Sequence, residues 1–247
     1  MGALIYEPVA ILQSSNDTID LDTVAYKAQQ VFDGHSAEGI EELFALNGSA
    51  SGARPKAALG VSEDRTKVIH TLRKGYVPWL VKFPNTLDGL DSGATEYVYA
   101  LMAKEAGIEM PDVHLFPSFE GPGYFAAKRF DRNKGKRLHM HSACGLLHAD
   151  FRLPSLDYED LVFLTFMLTR DIREVEKMYR LAVFNVLAYN RDDHSKNFSF
   201  LMDETGQWKL SPAYDLTFSS GPGGEQSTMV IKIQEWNISL SLAMKPS

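Results

Sequence analysis

Three polar residues late in the chain have the types and the spacing that phosphoryl transfer uses. Asp192 and Asn197 lie five positions apart after a long apolar run, and Asp215 follows a predicted hairpin. In enzymes with this spacing, the first Asp orients the attacking hydroxyl, while the Asn and the later Asp hold Mg²⁺ on the phosphates. Magnesium binds oxygen ligands and keeps several waters, so an amide and a carboxylate are sufficient. The pattern predicts that Asp192 is catalytic and that Asn197 and Asp215 bind Mg²⁺.

Upstream residues could position the phosphates of such a substrate. Lys82 lies in the strand-like segment WLVKF, and Glu96, near the start of a predicted helix, could pair with it and fix its position. The stretch GSASGARPKAALG predicts a glycine-rich turn between strands, where Gly52 has no Cβ to keep backbone N–H groups away from phosphate oxygens. Arg54 and Lys56 add positive charge to this turn. The order of these parts along the chain is the order found in kinases.

Each of these residues also has an ordinary structural explanation. Asp192 and Asn197 could form a capping turn after a helix, and Asp215 could cap the hairpin. Lys82 alone could be a solvated strand residue, and Glu96 alone could complement the dipole of its helix. The ordered occurrence of all five on elements of the right kind favours the phosphoryl-transfer hypothesis.

The sequence also leaves two other kinds of metal site as alternatives. One is a zinc site in HMHSACGLLH, although the spacing matches no common closed site; its ligands would be His139, His141, Cys144 and His148. The other is a metal-dependent hydrolase with water as the acceptor, built on Asp192, Asp193 and His194. This second alternative leaves Lys82 and the glycine-rich turn without a role.

The predicted helices and strands that carry these residues indicate an α+β protein with two lobes. The first part is β-rich, with helices over 22–34 and 92–106, the second of which has an apolar stripe at positions 94, 97, 98, 101 and 102. Two later segments, 158–170 and 175–190, are apolar on nearly every side, as buried helices are. The turn DETGQ between two strand-like runs predicts a small hairpin beside Asp192. We expect the N-terminal lobe to comprise residues 1–131 and the helical catalytic lobe residues 132–247.

Composition narrows the classes of function. The chain has 247 residues, 45% of them hydrophobic, which is enough for one large domain or two lobes. Its net charge of -7 argues against direct, sequence-independent binding of nucleic acid. A single cysteine, Cys144, excludes an internal disulfide and predicts a cytoplasmic protein. The apolar runs fall short of the roughly 20 residues that span a bilayer, so no membrane role is expected.

Six segments resemble the HipA-like serine/threonine kinases, which are toxins of bacterial type II toxin–antitoxin systems. They are GSASGARPKA, WLVKFP, TEYVYALMAKEAGIEMPDVHL, FAAKRFDR, NRDDHSKNFSF and LSPAYDLTFS, and they extend over residues 45 to 229. The last two are quite specific. The resemblance implies a two-lobed protein-kinase-like fold that uses ATP and Mg²⁺, with the roles given above for Asp192, Asn197, Asp215 and Lys82.

The resemblance also implies a set of nucleotide-binding residues. These are Gly48, Ser49, Ser51, Gly52, Ala53, Arg54, Lys56, Lys82, Lys128, Phe130, His194 and Lys196. Lys128 and Phe130, in the segment KRFDR, would lie near the adenine at the lobe junction. Ser49 and Ser51 resemble the paired serines of the short HipT-type members, so they are the candidates for autophosphorylation, which in the family ejects the loop and silences the kinase.

Partners follow from the resemblance as well. The family's toxins phosphorylate a serine in an aminoacyl-tRNA synthetase and are held by a HipB-like DNA-binding antitoxin. Longer members carry an additional N-terminal subdomain, which in the split HipT type corresponds to a small, separate HipS-like protein. Residues 230–247 are expected to match nothing in the family. That departure leaves one alternative, a truncated or catalytically impaired kinase-like protein that acts by binding the antitoxin.

Overall fold

A computed structural model describes most of the chain between residues 54 and 219, together with shorter segments before it. The described residues are 2–3, 18–32, 54–70, 72–84, 89–133, 135–150 and 156–219. Several predicted nucleotide contacts lie outside them, namely Gly48, Ser49, Ser51, Gly52 and Ala53. The candidate autophosphorylation sites are therefore outside the described residues, as are residues 230–247.

The N-terminal part is built on a five-stranded antiparallel sheet with the order β2-β1-β3-β5-β4. Its strands are β1 (Lys56–Ser62), β2 (Val68–Ile69), β3 (Tyr76–Lys82), β4 (Val113–Phe116) and β5 (Tyr124–Lys128). β1 and β3 pair along their full length, which places Lys56 directly opposite Lys82. The sequence predicted a glycine-rich turn over residues 48–60, and this was wrong for residues 56–60, because they pair with β3 and bury Ala57 and Leu59.

Among the residues that the structure describes, two helices accompany this sheet, α1 (Leu21–Phe32) and α2 (Ser92–Glu105). α1 packs on the sheet through Leu21, Val24 and Ala28, in a core that includes Trp79 and Phe83. Both helices were predicted, and Gly107 has the left-handed φ of 74° that commonly ends a helix.

The buried face of α2 is not the one that its apolar stripe indicates. Glu96, Ala100 and Ala103 are buried, whereas Val98 and Met102 are exposed. Glu96 faces inward because its carboxylate pairs with the ammonium group of Lys82, and this pairing offsets the cost of burying the carboxylate.

In the described residues, the C-terminal part contains three α-helices and a three-stranded sheet of order β10-β9-β8. The helices are α3 (Ala143–Leu146), α4 (Tyr158–Thr169) and α5 (Ile172–Leu187). After a short pair β6 (Arg132–Asn133) and β7 (Lys136–Arg137), the strands of that sheet are β8 (His139–Ser142), β9 (Ser199–Met202) and β10 (Trp208–Leu210). The predicted hairpin is β9 and β10, closed by Asp203, whose carboxylate accepts the amide hydrogens of Thr205 and Gln207.

The core of this part lies where α4, α5 and the hairpin meet, and it includes Leu161, Met178, Phe198 and Phe200. The prediction that α4 and α5 are buried on nearly every side was wrong, because Phe163, Phe166 and Ile172 are exposed. The start of α4 is fixed by a reciprocal capping box, in which the carboxylates of Asp157 and Asp160 each accept the other residue's amide hydrogen.

The architecture confirms the predicted α+β class, with a β-rich N-terminal lobe and a helical lobe that carries a small hairpin. The exact division between residues 131 and 132 stays a prediction. Among the helices of the described segments, none is both long enough and apolar enough to cross a membrane.

Candidate active site

Lys82, at the end of β3, joins two carboxylates that come from distant parts of the chain. Its ammonium group donates a hydrogen bond to Glu96 of α2 and a second one to Asp215, at 2.5 Å from the Asp215 Oδ1. Lys82 and Asp215 are 133 positions apart in sequence. The structure thus brings together one residue from the sheet, one from α2 and one from the segment after the hairpin, as the phosphoryl-transfer hypothesis requires.

Charge holds this cluster together. Burial disfavours the ammonium of Lys82, but the carboxylates of Asp215 and Glu96 outweigh this effect and raise its pKa. Lys82 in turn holds the pKa of Asp215 down to about 2. Burial raises the pKa of Glu96, partly against the attraction of Lys82. Asp215 is therefore a carboxylate at neutral pH, paired on one oxygen with a permanently charged lysine.

Two further cations lie beside this cluster. The guanidinium of Arg54 is 3.7 Å from Glu96, and Lys56 faces Lys82 across the strand pair β1–β3. Lys56 is buried, and burial followed by repulsion from Lys82 lowers its pKa. Like charges placed directly opposite each other destabilise a sheet, so a concentration of cations here is consistent with a site for an anion.

The segment from Asp192 to Asn197 forms a tight loop closed by its own hydrogen bonds. The Asn197 side-chain amide donates to the Asp192 carbonyl oxygen at 2.8 Å, across a 3₁₀ turn over Ser195–Asn197. The Asp192 carboxylate lies 3.9 Å from His194, and its side chain is 56% exposed. The pKa of Asp192 is raised, first by the protein that surrounds it in the cleft and also by Asp215, while His194 and Arg54 oppose the increase.

Tyr214 links this loop to Asp215. Its hydroxyl donates to the Lys196 carbonyl oxygen at 2.6 Å and lies 2.5 Å from the Ser199 hydroxyl, while its ring packs against Phe130 at 5.8 Å. The next residue, Asp215, adopts a left-handed φ of 59°, an uncommon conformation that often marks functional positions. Sequence analysis missed Tyr214, although its place directly before the predicted metal ligand was a signal.

Other predicted residues lie at the edge of the site or away from it. Phe130 is half-buried against Tyr214, whereas Lys128 is exposed and pairs with Asp112 at 3.5 Å. Asp193 points into the core and accepts a hydrogen bond from Tyr158. Because its carboxylate faces the core, Asp193 does not contribute a ligand to the metal site of the hydrolase alternative.

The zinc alternative finds no support in the described part of the chain. His139 packs edge-on against Trp208 with ring centroids 5.5 Å apart, and the Cys144 thiol donates to the Ala149 carbonyl oxygen at 3.2 Å. Within the described segments, no group of three or more His, Cys, Asp or Glu side chains is arranged to hold a metal ion.

The donor set nevertheless suits a magnesium ion that is shared with phosphates. Asn197 uses its amide nitrogen on Asp192, which leaves its amide oxygen as the atom for a metal, and Asp215 is ionised. One amide and one carboxylate oxygen match the preference of Mg²⁺ for few protein ligands and several waters. Arg54, Lys56 and Lys82 supply the positive charge that a triphosphate needs.

Comparisons with known proteins agree with this geometry. The family described as HipA-like C-terminal domain matches residues 48–245, so the prediction that residues 230–247 match nothing in the family was wrong. Two curated proteins of Sinorhizobium fredii, "Putative kinase Y4mE" and "Putative kinase Y4dM", are 29% and 28% identical over 154 and 153 residues. These matches cover 56% of this chain but only 34% and 36% of the relatives, so the chain spans about a third of their length.

A solved structure shows the same fold. The structure of HipA from Shewanella oneidensis MR-1, in a complex with HipB and its operator DNA, superposes with a TM-score of 0.64 at 20% identity. The match covers 92% of this chain and 57% of that one. The predicted two-lobed, kinase-like fold is thereby confirmed, and the chain belongs to the HipA-like C-terminal domain family of kinase-like proteins.

Proposed function

We propose that this chain is the catalytic part of a kinase that transfers the γ-phosphoryl group of ATP to a serine or threonine hydroxyl of a protein. The observation that carries the proposal is the contact of Lys82 with both Glu96 and Asp215, which joins the two lobes at one point. Phosphoryl transfer by kinases requires a strand lysine paired with a helix glutamate and an aspartate that holds Mg²⁺ in the same site.

Each residue has a distinct task in this proposal. When bound, ATP supplies the phosphoryl group, and Mg²⁺ neutralises the charge that develops on it. Glu96 keeps Lys82 extended toward the cleft, where the ammonium can contact the α- and β-phosphates. Arg54 and Lys56 contribute further positive charge from the start of β1. Asn197 and Asp215 would be the protein ligands of the metal, and Phe130 would lie beside the adenine.

Asp192 orients the acceptor hydroxyl and receives its proton. Its carboxylate is exposed in the cleft, while its backbone is fixed by Asn197. The raised pKa makes it a better proton acceptor than an ordinary aspartate, because proton transfer is most efficient when the pKa approaches the working pH. His194, 3.9 Å away, is placed to modulate this charge.

The biological setting is proposed from the family. We infer a toxin that phosphorylates a serine of an aminoacyl-tRNA synthetase and autophosphorylates Ser49 or Ser51. A HipB-like antitoxin is the expected partner, since the related HipA structure contains HipB and operator DNA. A HipS-like partner and a cytoplasmic location stay predictions. The impaired-kinase alternative rested in part on unmatched residues 230–247, and the family match through residue 245 removes that part of its basis.

Substitution of Asp192 by Asn tests the assignment. The purified chain is incubated with labelled ATP, Mg²⁺ and a bacterial lysate, and label on protein is measured. Asp192→Asn should retain the fold and ATP binding but lose about 10²–10⁴-fold in transfer, because the proton acceptor is gone. Asp64→Asn, in the exposed turn after β1, is the matched control and should behave as the wild type.

Three other results would argue against the proposal. Transfer by Asp192→Asn close to that of the wild type would refute the role of this residue. Metal-dependent release of phosphate with no labelled protein would favour a hydrolase. Binding of ATP without any turnover, together with co-purification of a small basic protein, would favour the impaired kinase-like alternative.

A further inference from the structure

The residue that follows the proposed catalytic aspartate faces in the opposite direction. Asp193 is 1% exposed, although it is a carboxylate in a loop that lines the cleft. Its Oδ2 accepts a hydrogen bond from the hydroxyl of Tyr158, the first residue of α4. Burying a carboxylate costs free energy unless its oxygens are hydrogen-bonded. The presence of a buried carboxylate directly after Asp192 therefore needs an explanation.

The Tyr158 hydroxyl belongs to a chain of buried hydrogen bonds that ends on the same loop. The Asn185 side-chain amide of α5 donates to the Tyr158 oxygen at 3.1 Å, and the Asn190 amide donates to Asn185 Oδ1 at 3.0 Å. All four side chains are almost completely buried. The chain therefore connects the residues just before and just after Asp192 to the two central helices of the lobe.

The ring of Tyr158 also contacts the other end of the loop. It packs edge-on against Phe198 at a centroid distance of 6.0 Å, and Phe198 directly follows Asn197. Phe198 is itself buried, and its carbonyl oxygen accepts the Ala143 amide hydrogen at 2.8 Å. One side chain thus bonds the loop beside Asp192 through its hydroxyl and packs beside Asn197 through its ring.

We propose that Tyr158 is a positioning residue for phosphoryl transfer: by holding Asp193 in the core, its hydroxyl fixes the direction in which Asp192 projects into the cleft. The inference rests on the proposed function, because it assigns Asp192 the reaction described above. In this scheme, Tyr158 contacts neither the cationic side chains that bind the nucleotide nor the acceptor hydroxyl. Its effect passes through the backbone of residues 192 and 193, and small displacements of a reacting group have large effects on rate.

A second tyrosine in the molecule provides a matched control. Tyr124 of β5 is as deeply buried as Tyr158, and its hydroxyl donates to the Asp22 carboxylate at 2.8 Å. Both Tyr158→Phe and Tyr124→Phe delete one buried hydroxyl that is bonded to an aspartate. Tyr158→Phe should lower the melting temperature more, because the buried Asp193 and Asn185 lose a partner, whereas Asp22 is partly exposed. Only Tyr158→Phe removes a bond to the proposed catalytic loop.

The experiment measures kinetics and amide hydrogen exchange on both variants. Tyr158→Phe should lower kcat by about tenfold or more and leave KM for ATP within about twofold, because Lys82 and its partners are untouched. Exchange of the amides at 190–198 should accelerate in Tyr158→Phe and remain at the wild-type rate in Tyr124→Phe. An unchanged kcat in Tyr158→Phe, or equal effects of the two variants, would overturn the inference.

Substitutions of Asp193 keep the test decisive if Tyr158→Phe folds poorly. Asp193→Asn retains an oxygen that can accept the Tyr158 hydroxyl and should keep kcat within about threefold, whereas Asp193→Leu should lose about tenfold or more. A large loss in Asp193→Asn would contradict the inference and indicate that the charge itself is needed. If the wild type transfers no phosphate, the proposed function fails, and the exchange rates at 190–198 still decide whether Tyr158 holds the loop.

Discussion

Two lysines of this protein each bridge two carboxylates, in different settings. Lys82 contacts Glu96 and Asp215 in the candidate active site, whereas Lys177 of α5 contacts Glu174 at 2.8 Å and Glu109, in the segment after α2, at 2.9 Å. The side chain of Lys82 is 11% exposed, and that of Lys177 is 40% exposed. Both clusters consist of one lysine and two carboxylates. They differ in how deeply the lysine is buried and in which elements of the fold supply its partners.

The two clusters have different costs. Lys177 and Glu174 are three positions apart on α5, so the helix itself brings them together. Lys177 and Glu109 are exposed, so water screens their attraction. The buried Glu174 also accepts the Leu210 amide hydrogen. Lys82 and its partners come from three elements, and removing them from water costs several kcal/mol per charge. A fold that gathers such charges at a cleft gains little stability from them. Their presence is better explained by a charged ligand that is to be bound there.

The largest effect expected from this comparison is on catalysis. Lys82→Met should lower phosphoryl transfer by about 10²–10³-fold, because a preorganised cation is lost from the reacting phosphates. Lys177→Met should leave transfer within about twofold of the wild type. Both are measured with labelled ATP under equal conditions. A comparable loss in the two variants would mean that Lys82 acts only through the fold.

Stability should separate the same two variants. Lys82→Met should lower the free energy of unfolding by about 3 kcal/mol, at the low end for breaking a buried pair, since Asp215 is partly exposed and Glu96 can take up a proton. Lys177→Met should cost less than about 1 kcal/mol, and added salt should reduce this further. Urea unfolding at low and high salt measures both. Equal costs would show that burial does not distinguish the clusters.

A smaller effect is expected from pH. Because Lys82 holds the pKa of Asp215 at about 2, below its ordinary value of 3.8, the pair stabilises the fold above that ordinary value and loses this contribution as the pH falls toward 2. Burial raises the pKa of Glu96, which acts in the opposite direction. The stability difference between the wild type and Asp215→Asn should therefore shrink from about pH 5 to about pH 2.

Glu109→Gln is the control for the pH series, because it removes a carboxylate from the exposed cluster. Its difference from the wild type should be small throughout. A difference between the wild type and Asp215→Asn that stays constant or grows on acidification would contradict the assigned ion pair.

The polar residues of the site could be predicted from sequence because their order along the chain is itself informative. Asp192, Asn197 and Asp215 follow one another at the ends of recognisable elements, and Lys82 and Glu96 lie on a strand and a helix that were both predicted. Hairpin and helix signals are local, so β9, β10 and α4 could be located from the sequence alone.

The residues that support the site gave no comparable signal. Tyr158 is separated from Asp193 by 35 positions, and its segment looks like any other helix start. The buried face of α2 was also not predicted, because its apolar stripe indicated one face and the burial of Glu96 selects another. Both misses concern contacts between elements that are separated in sequence, which depend on how helices, strands and loops pack within a lobe.

The sequence alone therefore determined which groups are available for chemistry, the kind of element that carries each one, and the family to which the chain belongs. Only the tertiary structure decided which charges meet, which carboxylate turns inward and which tyrosine holds the loop. The physical reason is that propensity and periodicity act over a few neighbouring residues. Burial and pairing depend on groups that folding brings together from as far as 133 positions apart.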